Sequence, residues 1–177
     1  MIAYDLIGQT PLVLLESFSD ENVKIYAKLE QFNPGGSIKD RLGKYLIEKA
    51  IDEGRLKEGD TIVEATAGNT GIGLAIASNR HKVKCIIFAP EGFAEEKISI
   101  MKALGADVRR TPKVEGMTGA QQEALAYATR YGYLYMNQFE TKDNPGAYTQ
   151  TLAKQLTDEL SHIDYFVAGV GSGGTFT

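Results

Sequence analysis

Thr61-Ile62-Val63-Glu64-Ala65-Thr66-Ala67-Gly68-Asn69-Thr70-Gly71 is the stretch whose reading decides the fold class. Thr61 to Ala65 reads as a short buried strand and Gly68 to Gly71 as a loop. Ile72 to Arg80 follows as an apolar helix and Val83 to Ala89 as the next buried strand. The rhythm continues downstream. A helix from Ala94 to Leu104 carries Ile98, Met101 and Leu104 on one stripe, ends at Gly105, and leads into a strand from Asp107 to Thr111. After the loop Glu115 to Gly119 come a helix from Ala120 to Tyr131 and a short strand from Tyr133 to Met136. A last helix, from about Gly146 to Leu160, places Tyr148, Leu152, Leu156 and Leu160 at four-residue spacing before the apolar strand Tyr165 to Val170. Strands separated by helical segments of about ten to fifteen residues imply right-handed βαβ units and a parallel sheet, an α/β fold.

Upstream, Tyr4 to Leu6 and the turn Gly8-Gln9-Thr10-Pro11 precede apolar Leu12 to Leu15, and Val23 to Glu30 alternates as a second strand candidate. Asn33-Pro34-Gly35-Gly36 breaks it. Ser37 is the expected helix cap, with Asp40 three residues on as its reciprocal partner, and Leu42, Leu46, Ile47, Ala50 and Ile51 follow at helical spacing up to Gly54. Lys39 therefore falls in the first turn. There the helix macrodipole disfavours an ammonium by a few tenths of a kcal/mol when exposed, and by more when partly buried. It thus favours the neutral amine that nucleophilic or Schiff-base chemistry requires. A lysine beside Asp40 and Arg41 also fits a solvated surface charge, so the heptapeptide alone leaves both readings open.

Composition narrows the classes. The 177 residues suit one domain, or one domain with part of a second, and 43% hydrophobic residues suffice for a core. With 24% charged residues, a net charge of −4 and scattered basic residues, neither a disordered tail nor a nucleic-acid surface is indicated. Cys85 is the single cysteine, reads as a buried strand residue, and makes neither a disulfide framework nor a zinc site. His81 and His162 read as surface residues and form no metal constellation. The absence of a membrane-length apolar run or a signal-peptide layout leads to the expectation of a soluble, cytoplasmic protein.

Two glycine-containing loops follow strands. Thr66 to Gly71 can offer backbone N–H groups and a positive helix end to a carboxylate or phosphate. Gly171-Ser172-Gly173-Gly174-Thr175 can hold a phosphate, with the Ser172 and Thr175 hydroxyls assisting. In open α/β sheets such loops meet at the carboxyl ends of the strands. Gly169, Gly171 and Gly174 also fit the dinucleotide spacing G-x-G-x-x-G, but the helix and acidic residue that complete that fingerprint do not follow within the chain.

Taken with Asn137-Gln138-Phe139, Gly8 to Leu12 and Asn33 to Arg41, these loops make the chain resemble the fold-type II (tryptophan synthase beta-like) pyridoxal-phosphate enzymes. Within them it is most similar to the cysteine synthase (O-acetylserine sulfhydrylase) and cystathionine β-synthase family. The resemblance implies that Lys39 holds pyridoxal 5'-phosphate as a Schiff base and later shuttles the Cα proton. It implies that Asn69 meets the cofactor's ring hydroxyl and that Gly171, Ser172, Gly173, Gly174 and Thr175 cradle its phosphate. Thr66, Ala67, Gly68, Asn69 and Thr70, with Gln138, would receive the substrate carboxylate. No metal is implied. The implied reaction is β-replacement on O-acetylserine, with sulfide giving cysteine or with homocysteine giving cystathionine. Homodimers are implied as well, and serine acetyltransferase as a partner of some members.

By the same resemblance, residues 34–136 correspond to the small central domain, while 1–33 and 137–177 supply part of the large one. The chain then looks C-terminally truncated, because the helix after the terminal glycine loop and the rest of the large sheet would lie beyond Thr177. Ala67 departs from the serine usual in cysteine synthases and removes a hydroxyl worth about 0.5 to 1.5 kcal/mol net if hydrogen-bonded. Some bacterial relatives that use homocysteine carry such an alanine. An inactive remnant and a nucleotide-binding module are the other readings.

Overall fold

The computed structural model describes residues 2–177. A four-stranded, all-parallel sheet is its centre: β3 (Thr61–Ala65), β4 (Lys84–Pro90), β5 (Asp107–Thr111) and β6 (Leu134–Tyr135), in the order β5-β4-β3-β6. The two-residue period of the strands explains how its faces are covered. Ile62, Cys85, Ile87 and Ala89 point to one side, against Leu42, Leu46 and Ile47 of α1 (Lys39–Asp52) and Ile72, Leu74 and Ala75 of α2 (Asn69–Arg80). Val63, Ala65, Ile86 and Phe88 point to the other, against Ala120, Ala124 and Ala128 of α4 (Gly116–Tyr131). α3 (Glu95–Ala103) adds Ile98 and Met101 to the first layer. The alanine stripe of α4 lets that helix approach the sheet closely. Cys85 is buried in β4, where burial pushes its thiol up to about 12 and makes it inert.

β1 (Leu12–Leu14) and β2 (Tyr26–Lys28) form a separate antiparallel ladder. A helical run closes the chain: α5 (Asp143–Tyr148), a π turn (Thr149–Ala153) and α6 (Lys154–Glu159). A strict four-residue apolar spacing drifts around a regular 3.6-residue helix. The wider π turn corrects that drift and keeps Tyr148, Leu152 and Leu156 buried on one side. No helix among the described residues is long and apolar enough to cross a membrane.

Several boundaries differ from the sequence-based expectation. Tyr4 lies in a 3-10 turn (Ala3–Leu6), and the strand expected over 23–30 is only three residues long. α4 begins at Gly116, so the expected glycine loop is its first turn, and α2 begins at Asn69 rather than Ile72. The reciprocal cap at α1 does not form. Ser37 Oγ accepts the Lys39 N–H at 3.2 Å, while Asp40 turns back to the Gly35 N–H instead of to Ser37. Tyr165 to Val170 is not a strand: Tyr165 is 90% and Val167 91% exposed. A strand meant for burial on both faces needs hydrogen-bonded neighbours, and none of the described residues pairs with it. His81 is half-buried, edge-on to Tyr4 with ring centroids 5.7 Å apart, whereas His162 is exposed as expected.

The buried Arg41 guanidinium locks the layers to one another. Its Nε and Nη2 donate to the two oxygens of Glu30 at 2.8 Å each, and Nη2 also donates to the Gly8 carbonyl, Thr10 Oγ1 and Gln155 Oε1. Gly8, at φ +88°, lies so close that a Cβ there would sit 3.1 Å from Nη1. Replacing Arg41 with Met should cost about 3 to 5 kcal/mol in urea unfolding, because it strands the Glu30 carboxylate. Adding Glu30→Gln to that variant should recover part of the loss.

Candidate active site

The carboxyl ends of β3 and β6 are adjacent because the two strands pair in parallel, Ile62 with Leu134 and Val63 with Tyr135. The segments that leave them, Thr66 to Thr70 and Met136 to Gln138, are therefore neighbours. After β3, the Thr66 hydroxyl accepts the Gly68 N–H at 3.2 Å, turning the chain into α2 with Asn69 as its first residue. Thr70 is buried and donates its hydroxyl to Gln138 Oε1 at 2.7 Å. The Gln138 N–H is held by Glu64 Oε2 at 3.0 Å.

Glycines bring Lys39 to the same end of the sheet. A Cβ on Gly43 would collide with the Gly73 backbone, and one on Gly73 with the Lys39 carbonyl. α1 and α2 thus touch backbone to backbone, and the start of α1 lies against α2. Lys39 Nζ donates to the Tyr148 hydroxyl at 3.0 Å and lies 5.3 Å from that ring's centroid. The Tyr148 ring also touches the terminal glycine loop: an ideal Cβ on Gly174 would be 2.9 Å from Cε2 and would collide with Asn144 Oδ1.

Asn144 completes the connection. It is buried in the first turn of α5 and donates through Nδ2 to the Gln138 carbonyl at 2.7 Å and to Ser172 Oγ at 3.0 Å. Lys39, the Thr70–Gln138 pair and the Ser172–Gly174 loop thereby converge on Tyr148 and Asn144. In the terminal loop, Gly173 takes φ +85° and its carbonyl accepts the N–H groups of Phe176 and Thr177, beginning a helical turn. Ala67, Asn69 and Thr175 are half-buried beside these groups. Three site residues carry no motif in the sequence: Tyr148 falls in a run of four-residue apolar spacing, Asn144 stands ahead of Pro145, and Glu64 is a lone carboxylate in an apolar strand.

The chain matches the family model described as pyridoxal-phosphate dependent enzyme over residues 3–177. The chain belongs to that family. It is 50% identical over 175 residues to the O-acetylserine dependent cystathionine beta-synthase of Bacillus subtilis, covering 97% of this chain and 57% of that protein. It is 48% identical over 181 residues to the cysteine synthase of Helicobacter pylori, covering 97% and 58%. The crystal structure of the O-acetylserine dependent cystathionine beta-synthase from Helicobacter pylori superposes with a TM-score of 0.92 at 46% identity, covering 99% of this chain and 60% of that one. The chain thus spans less than two thirds of the length of these relatives.

The donor set fits the family's cofactor: the Lys39 amine on the Tyr148 hydroxyl and, beside the same ring, a glycine loop whose backbone N–H groups and Ser172 hydroxyl can serve a phosphate. The amine of Lys39 is one side chain away.

Asp40, the residue after Lys39 on α1, has no exposed surface and is pushed up to about 6 by burial. A folded-state value above the unfolded one means that this group's stabilising contribution is present at low pH and is lost as pH rises through about 6. Raising pH from about 5 to 8 should therefore lower stability, with Asp40 contributing on the order of 1 kcal/mol. Asp40→Asn should flatten that part of a denaturation-versus-pH series.

Proposed function

We propose that this chain carries the lysine, carboxylate-binding and phosphate-binding parts of an enzyme that performs β-replacement on O-acetylserine, giving cysteine when sulfide is the second substrate. One observation carries the reading: Lys39 Nζ meets the hydroxyl of Tyr148 and Gly174 the adjacent Cε2 edge of the same side chain, while Asn144 ties the Gly174 loop to the Thr70–Gln138 pair. An amine, an anion cradle and a second polar loop at one strand edge are what a phosphate-bearing aldehyde and an amino acid need together.

Pyridoxal phosphate, when bound, supplies the electron sink for carbanion chemistry at Cα. The Gly171 to Thr175 amides, with the hydroxyls of Ser172 and Thr175, would hold its phosphate, and Asn69 its ring hydroxyl. Lys39 Nζ would hold its aldehyde carbon and, once displaced by the substrate amine, take and return the Cα proton. The Tyr148 hydroxyl accepts a hydrogen bond from the Lys39 amine. The Thr66 to Thr70 backbone at the positive end of α2, with Gln138, would receive the substrate carboxylate and fix which face of Cα meets Lys39.

Homocysteine in place of sulfide is the second reading. Ala67, which carries no hydroxyl, and the Bacillus subtilis relative's name favour it. From the resemblance the proposal also takes residues 34–136 as the small domain, with 1–33 and 137–177 belonging to the large one, and a cytoplasmic homodimer able to receive serine acetyltransferase.

Adding pyridoxal phosphate to the purified chain should produce a visible absorption band that Lys39→Ala lacks. A band equally strong in Lys39→Ala would remove Lys39 from its role. Thr70→Val should raise the KM for O-acetylserine about tenfold with kcat little changed, since it loosens Gln138 without touching the amine. Product analysis with sulfide and homocysteine offered together separates the two readings.

A further inference from the structure

Glu64 takes no part in the chemistry above, yet it has the most unfavourable surroundings of any carboxylate in the sheet. It lies in β3, one residue before the strand ends, with no exposed surface. Oε1 accepts the Ala65 N–H at 2.7 Å and Oε2 the Gln138 N–H at 3.0 Å. The titratable groups acting with it are Cys85 on β4 and Tyr135 on β6, the latter also facing Glu140; none is a cation. Burial pushes Glu64 up to about 7. Ile62, one pleat earlier on the same face, is the kind of residue that face otherwise holds. An uncompensated buried carboxylate costs the fold stability, so the reason for its presence lies in what it holds.

What it holds is the backbone of Gln138. The residue before, Asn137, has φ +46°, a left-handed conformation that asparagine adopts more readily than most residues and that turns the chain into Gln138. From Gln138 the hydrogen bonds divide. Its side chain accepts the Thr70 hydroxyl, and its carbonyl accepts Asn144, which also donates to Ser172.

We propose that Glu64 is a positioning residue whose carboxylate fixes the Gln138 backbone and so sets the Thr66–Thr70 loop and the Gly171–Thr175 loop in register with each other. Its bearing on ligands rests on the function proposed above; the coupling of the loops does not. The ionised form presents an acceptor to each of two N–H groups. Protonation turns one oxygen into a donor that opposes one of them.

The test is a pH series by NMR on the full chain, over about pH 5.5 to 9. It follows the Glu64 carboxyl carbon with the amide protons of Gln138, Thr70, Ser172 and Gly173. One shared midpoint near neutrality is expected, with the Gln138 amide proton moving downfield as Glu64 ionises, and Glu64→Gln should abolish the transition at all four amides. Loop amides that titrate at another midpoint, or that still titrate in Glu64→Gln, would overturn the proposal. Should that variant not fold, the series on the unsubstituted chain decides alone. At about pH 8, Glu64→Gln should weaken binding of pyridoxal phosphate and of O-acetylserine about tenfold each with the folded fraction unchanged. Affinity lost only in proportion to unfolded protein would mark a purely structural residue and overturn the proposal. Shared titration in a chain that binds neither ligand would uphold the coupling and refute the proposed function instead.

Discussion

The buried contact between Arg41 and Glu30 is the constraint on which the arrangement of this chain depends. A guanidinium with about 1% side-chain exposure is costly unless its N–H groups meet acceptors, and Nε and Nη2 find them in three separate segments: the Gly8–Thr10 turn, Glu30 just beyond β2, and α6. Glu30 is satisfied in turn by Thr10 and Asn33, which with Arg41 hold its carboxyl below the usual range despite burial. Arg41 lies two residues from Lys39 on α1. The same ion pair that closes the N-terminal turn and the last helix onto the sheet layers therefore fixes where the lysine's helix begins.

Close helix packing does the next part. Gly43 and Gly73 remove the side chains that would keep α1 and α2 apart, and the parallel pairing of β3 with β6 makes neighbours of two loops separated by some seventy residues. The site is then joined by three polar side chains, Gln138, Asn144 and Tyr148, none of them charged. In a place shut off from water, such hydrogen bonds are directional and costly to leave unmade, which gives the site its definition.

The segment 165–170 shows the other side of this dependence. Its apolar residues have strand character, but a ladder is a relation between two segments. With no partner among the described residues, it forms no ladder and most of its apolar side chains are exposed. The chain spans a little under three fifths of the length of these curated relatives.

Local chemistry by itself determined much of this protein. Periodicity gave the α/β class, the four strands between residues 61 and 135 and the helices between them, because a two-residue or 3.6-residue repeat is written into each segment whatever surrounds it. Glycine and proline placed the loops, and Lys39 fell at the start of α1 as its neighbours required. Tertiary structure alone decided what depends on two distant segments meeting. Asp40 serves Gly35 rather than capping with Ser37, and Arg41 becomes a buried hub. Tyr148, at the head of the apolar stripe, and Asn144 join the candidate site, and Glu64 reaches Gln138 across the sheet. Hydrogen bonds between residues tens of positions apart leave no periodic trace in a sequence, so their partners are fixed only when the chain has folded.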